Sequence, residues 1–131
     1  MKRTTAQMND SQLMAYMTKL AVSERRLLSV QIDVLTEIMT RKLHIKAGYE
    51  SLFSYLVHLG YSKGAAAQRN HVAKAARHWP QLMGMIYEGR LTLGAAALVG
   101  QKLSSANLTR TRGEKLLADA AGKNREQIEV L

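Results

Sequence analysis

Residues 49–92, YESLFSYLVHLGYSKGAAAQRNHVAKAARHWPQLMGMIYEGRLT, decide the reading of this chain. Between Glu50 and Leu59, the residues Leu52, Phe53, Leu56, Val57 and Leu59 fall at three- and four-residue spacings, which predicts a short helix with an apolar face. Gly60 suits the left-handed position after a helix end. Two residues on, Ser62 has the side chain that accepts from the free N–H groups of a new helix. That second helix is expected to run to about Trp79, where Pro80 stops it for want of an N–H. Two helices joined by a three- to four-residue turn containing glycine make a helix-turn-helix, whose second helix is built to enter a DNA major groove.

Charge points the same way. No Asp or Glu lies between Glu50 and Glu88, whereas Lys63, Arg69, Lys74 and Arg77 all do. At 100° per residue, Lys63, Ala67, Asn70, Lys74 and Arg77 share one stripe, with His71 and His78 beside it. Ala65, Val72, Ala76 and Trp79 take the opposite side. Ser62 and Lys63 are then expected near phosphate, and Gln68, Asn70 or His71 near base edges. Lys74 and Arg77 would contact phosphates or guanine, and Ala66 and Ala67 keep the helix slim. Arg69 points to the packing side and is expected to snorkel or pair internally. A basic stripe can also be a plain solvated face, although such faces normally mix both signs.

Working outward, 131 residues suit one domain, and 47% apolar residues with only 5% aromatic imply a core of Leu, Met, Ala and Val. The fold class expected is all-α, a compact multi-helix bundle containing the helix-turn-helix. Residues 1–10 form a flexible N-terminus and 11–131 one helical domain. Within it, 11–48 are N-terminal helices, 49–80 the helix-turn-helix and 81–131 supporting helices. The net charge of +9 favours a polyanion. Double-stranded DNA comes first; RNA is less favoured, because aromatic side chains that stack on unpaired bases are scarce. With no cysteine there is no disulfide or thiolate metal site. No apolar run is long enough for a signal peptide or a membrane span, so the expected location is cytoplasmic, on the nucleoid if DNA is the partner.

Upstream, Asp10 or Ser11 is expected to cap a helix with Leu13, Met14, Met17, Leu20 and Ala21 on one face. Leu27, Leu28, Ile32, Leu35, Ile38, Met39 and Leu43 give another. At the junction, Ser23 and Glu24 leave two readings open: a second helix, or one long helix that shifts its face. This Met-rich region is also where a homodimer contact is expected, through a face carrying Leu28, Ile32, Leu35 and Met39; a plain intramolecular core is the other reading. Glu37 and Arg41 are spaced to pair. Downstream, a short helix over 82–87 closes at Glu88 and Gly89, and Thr92 caps the next. Ser104 or Ser105 is expected to start a further one, burying Leu108, Leu116, Leu117 and Ala120, and Asn124 caps a last turn or two. Lys46, Arg90, Arg110, Arg112 and Lys115 are candidate secondary phosphate contacts.

The runs YESLFSYLVHLGYSKGAA, AARHWP and EGRLTLGAAAL resemble the helical N-terminal region found upstream of the nuclease domain in many bacterial HNH endonuclease family proteins. The resemblance covers roughly residues 11–131, and its sharpest motifs are Ser51-Leu52-Phe53, Leu59-Gly60-Tyr61-Ser62 and Gly89-Arg90-Leu91-Thr92. A looser similarity is to the helix-turn-helix core of ParB-type partition proteins. Both imply DNA as the partner. Cleavage activity is not carried over, because His44, His58, His71 and His78 lack the acids and paired-strand setting of such a metal site. His71 and His78 are ~10.5 Å apart along one helix, too far to share an ion. No nucleophile–base pair stands out, and no metal or cofactor is expected. A different class of function stays open: an α-helical interaction or assembly module dimerising through residues 11–43.

Overall fold

The computed structural model describes residues 4–105 and 108–131, and its architecture is all-α, a compact multi-helix bundle. After a 3-10 turn at Thr4–Gln7 come α1 (Asp10–Arg41), α2 (Leu43–Lys46), α3 (Leu52–His58) and α4 (Lys63–Ala76). They are followed by α5 (Gln81–Tyr87), α6 (Leu93–Leu103), α7 (Arg110–Ala120) and α8 (Arg125–Glu129). Among the described residues, no helix is long and apolar enough to cross a membrane.

The central element is α4, against which α1, α3, α5 and α6 all pack. Its own composition allows this. Ala66, Val72, Ala73, Ala75 and Ala76 are buried, and four of those five are alanines, so neighbouring helices approach closely. Against α6 the limit is set by Gly100. A β-carbon there would lie 3.1 Å from Ala75 Cβ and 3.2 Å from the His71 carbonyl oxygen, tighter than ordinary van der Waals contact. Around this centre Ile32, Leu56, Leu82, Ile86, Val99 and Ile128 are fully buried, one or two from each of α1, α3, α5, α6 and α8.

One helix spans the ambiguous junction at Ser23 and Glu24. Its 32 residues begin at Asp10, and the cap is Asn9 rather than Asp10 or Ser11. The Asn9 side chain accepts from the Gln12 N–H (2.8 Å), and the Gln12 side chain accepts from the Asn9 N–H (3.0 Å), which closes a capping box. α1 meets the body from about Arg25 onward. There the Ser29 hydroxyl, itself buried, donates to the Met83 carbonyl (2.8 Å), and Arg25 Nε donates to the carbonyl of Tyr87 at the end of α5 (3.2 Å). The face carrying Ile32 and Leu35 is buried in the core, with Leu28 and Met39 packed against it. This face, on which a dimer contact is expected, packs within the chain.

Several expected boundaries move. The first helix of the central pair starts at Leu52 behind a Ser51 cap, and Leu59 lies beyond its end and is exposed. α4 ends at Ala76, and Trp79 donates its N–H back to the Ala75 carbonyl. Neither Ser104 nor Ser105 starts a helix: Ser104 closes α6, its hydroxyl donating to the Gly100 carbonyl, and Thr109 caps α7. Leu108 thus precedes α7. Thr92 and Asn124 cap as expected, and the Glu37–Arg41 pair forms at 3.4 Å. Of the flexible N-terminus expected at 1–10, residues 1–3 lie outside the described residues.

Candidate nucleic-acid interface

Residues 59–62 join α3 to α4. Gly60 has φ +109°, a conformation L side chains rarely adopt, which lets the chain reverse within this short connection. Ser62 Oγ then accepts from the Ala65 N–H (3.2 Å), satisfying one of the free donors at the start of α4. The turn is held from below by Tyr61. Arg69 sits 4.3 Å above that ring and donates through Nη1 to the Ala65 carbonyl (3.2 Å), so this cation is internal, as its position towards the packing side implies.

Four helices pack on α4, and its solvent-facing cations lie along one strip that continues past its end at Ala76, while Gly64 is also exposed and Ala65, Gln68 and Arg69 are half-buried elsewhere on the helix. Lys63, Lys74, Arg77 and His78 are exposed, and Ala67, Asn70 and His71 are half-buried among them. At 100° per residue these seven positions span an arc of about 120°. They are the stripe and flanking histidines that the periodicity groups together. Gln68 falls outside it. A β-carbon at Gly94 would lie 3.4 Å from Gln68 Nε2, which places that side chain against the start of α6 rather than in the strip. Ala66 is fully buried and cannot face a groove.

The C-terminal half of the strip opens into a cleft of about 720 Å³. Asn70, Lys74, Arg77 and His78 line it together with His44 of α2, the Ser51 cap of α3, and Ser104. Among the described residues, no carboxylate lines the cleft. Among the described residues, none lies within 4 Å of Lys63, Lys74 or Arg77 either, whereas five other cations have such a partner. A basic surface without its own counter-charges keeps its field available to an outside anion.

The secondary cations divide. Arg90 pairs with Glu88 (2.9 Å) and Lys115 with Asp119 (2.9 Å). Arg110 is the most committed: its guanidinium lies 4.2 Å over the Trp79 ring, Nη1 donates to the His78 carbonyl (3.1 Å), and Nε approaches Glu114 (3.5 Å). Lys46 and Arg112 are exposed.

Sequence reasoning missed two participants. His44 is buried in the cleft wall, and its Nδ1 has no hydrogen-bond partner among the described residues. It looks like one more member of a charged surface run, because its burial depends on α2 packing back on α1. Gly113 is the other, lying against Trp79 just beyond the end of α4. Among the described residues, no three His, Asp or Glu side chains gather in a group that could hold a metal ion. Comparison with family models, with curated proteins and with solved structures finds no match for this chain.

Proposed function

We propose that this chain binds duplex DNA through the exposed strip of α4, and we assign it no catalytic role. The observation that carries the reading is the set Lys63, Lys74 and Arg77 on one helical face with no carboxylate partner among the described residues, next to a cleft in which His44 and His78, and no acid among the described residues, form part of the lining. Lys63 and the first N–H groups of α4, which follow the Gly60 turn, meet phosphate. Lys74 and Arg77 meet a second phosphate group about 16–21 Å further along the helix, at 1.5 Å per residue. Asn70 and His71, the uncharged polar side chains between them, are the pair placed to reach base edges. Gln68 drops out of the contact set because it faces α6. The resemblance to DNA-associated helical regions supports the same partner.

Fluorescence anisotropy of a labelled mixed-sequence duplex across a salt series tests this. Counterion release makes log K fall linearly with log salt, by about 0.9 for each phosphate neutralised. The double variant Lys74→Glu with Arg77→Glu should lose binding while its circular dichroism and thermal melt stay native, since both side chains are exposed. Absence of binding by the unaltered chain at low salt, or unchanged affinity in the double variant, rejects the proposal.

A further inference from the structure

The N-terminal part of α1 stands clear of the bundle. Every residue from 10 to 21 is exposed, and the first ties to the body are Arg25 on the Tyr87 carbonyl and Arg26 5.0 Å over the Tyr87 ring. Twelve residues at 1.5 Å each make an arm of about 18 Å. A helix of that length is marginal in water unless something covers it.

Its outer face is apolar. Leu13, Tyr16, Leu20, Ser23, Leu27, Val30 and Val34 follow one another at alternating spacings of three and four residues, and all seven are exposed, Leu27 at 60%, Val30 at 55% and Val34 at 52%. Those spacings are the a and d positions of a heptad series that runs the length of α1 from the arm onto the body. The series is distinct from the core face. Counted at 100° per residue, it lies about 120° around the helix from Leu28, Ile32, Leu35 and Met39. A helix on the outside of a bundle needs one apolar stripe, and α1 carries two. At the body end, Val30 and Val34 continue into an apolar groove of about 220 Å³ completed by Ile38, Tyr55, Leu59 and Tyr61.

We propose that this second stripe is the seam of a parallel, in-register coiled coil with a second copy of the same chain. A 3.5-residue repeat fits a partner helix with the same repeat, and the flanking charges choose both partner and direction. Lys19 falls at g and Glu24 at the following e, so in a parallel pair Lys19 of each copy faces Glu24 of the other. The antiparallel alignment that stacks the same apolar layers sets Lys19 against Arg26, two like charges. Ser23 is the one polar residue in the series; in the parallel pair it meets its twin, a polar layer that fixes register at some cost in affinity. The contact is isologous and closes as a two-fold dimer. This inference does not depend on whether DNA is the partner.

Sedimentation equilibrium of the full chain, with three sets of variants, tests it. The unaltered protein is expected at twice 14.6 kDa. Leu20→Glu with Leu27→Glu should return the single-chain mass with helix content and melt retained, since both side chains are exposed. The chain has no cysteine, so Ser23→Cys gives a single thiol, which should cross-link two copies on oxidation. Lys19→Glu should weaken the dimer by roughly tenfold, and adding Glu24→Lys should restore it. A single-chain mass at the highest soluble concentration overturns the proposal, as does a dimer mass unchanged by the two glutamates. Tightening by Lys19→Glu without a Ser23→Cys cross-link overturns the parallel arrangement.

Discussion

Gly113 lies so close to the indole of Trp79 that a β-carbon at residue 113 would overlap the ring. On the same ring sits the Arg110 guanidinium, one helical turn earlier in α7. α7 thereby clamps the end of α4 just past Arg77 and His78, and holds the basic cleft in shape. Replacing Gly113 with Ala sets two effects against each other. Alanine gains up to about 1 kcal/mol of helix propensity, but overpacking against a buried indole costs about 1–3 kcal/mol. The overlap wins, because Trp79 is only 8% exposed and has little space to move into. Denaturant unfolding should show Gly113→Ala destabilised by about 1–2 kcal/mol. Gly84→Ala is the control: nothing lies within 4 Å of its β-carbon position, and it should be stabilised by about 0.5–1 kcal/mol. Equal effects at the two sites would mean that the Trp79 contact does not limit packing.

Ser29 is buried, and its hydroxyl ties α1 to the Met83 carbonyl in α5. Ser29→Ala removes the donor but leaves the carbonyl within its own helix, so the cost should be a single net hydrogen bond, about 1 kcal/mol. A chemical denaturation midpoint shifted with an unchanged slope is the expected result. An undiminished midpoint would show that the bond contributes nothing net.

How much of this was legible depends on how local the physics is. Ser62, Thr92 and Asn124 announce helix starts because a cap needs only its own oxygen and the next three residues, and all three cap as expected. The start of α7 was misplaced because Ser104 and Ser105 offer the same oxygen five residues early. What disqualifies Ser104 is that its hydroxyl turns back to Gly100 to finish α6. On α1 two apolar stripes compete, and no local pattern says which one α4 and α5 will cover. That Gln68 lies against the start of α6 is not legible locally, because Gly94, which it approaches, is 26 residues away in the chain. Arg110 read as a free cation because Trp79, its main partner, is 31 residues away in the chain.

If Lys74 and Arg77 neutralise phosphates, each should carry its own share of the salt dependence. Lys74→Ala and Arg77→Ala are each expected to reduce the slope of log K against log salt by about one, and the double variant by about two, with affinity falling uniformly over duplex sequences. Asn70→Ala should leave the slope alone and change the preference among sequences instead. A slope unchanged by both cation variants would remove α4 from the phosphate contact even if the chain binds DNA.

Arg110 and Arg112 are two residues apart on α7 and are separated by what surrounds them. The Arg110 side chain is held by the Trp79 ring, the His78 carbonyl and Glu114, whereas Arg112 is exposed with no carboxylate within 4 Å among the described residues. Arg110→Ala removes a cation–π contact worth about 0.5–1 kcal/mol at an exposed site and a charge-assisted bond to a carbonyl, so stability should fall by about 1–2 kcal/mol. Because that guanidinium is already committed, the salt slope for DNA should not change. Arg112→Ala should do the reverse, leaving the melt within about 0.5 kcal/mol of native and lowering the slope by about one if α7 extends the contact. Measuring thermal unfolding and the salt series on the same two proteins separates a cation that holds the end of α4 in place from one that meets phosphate. A lowered slope in Arg110→Ala with an unchanged melt would exchange their roles.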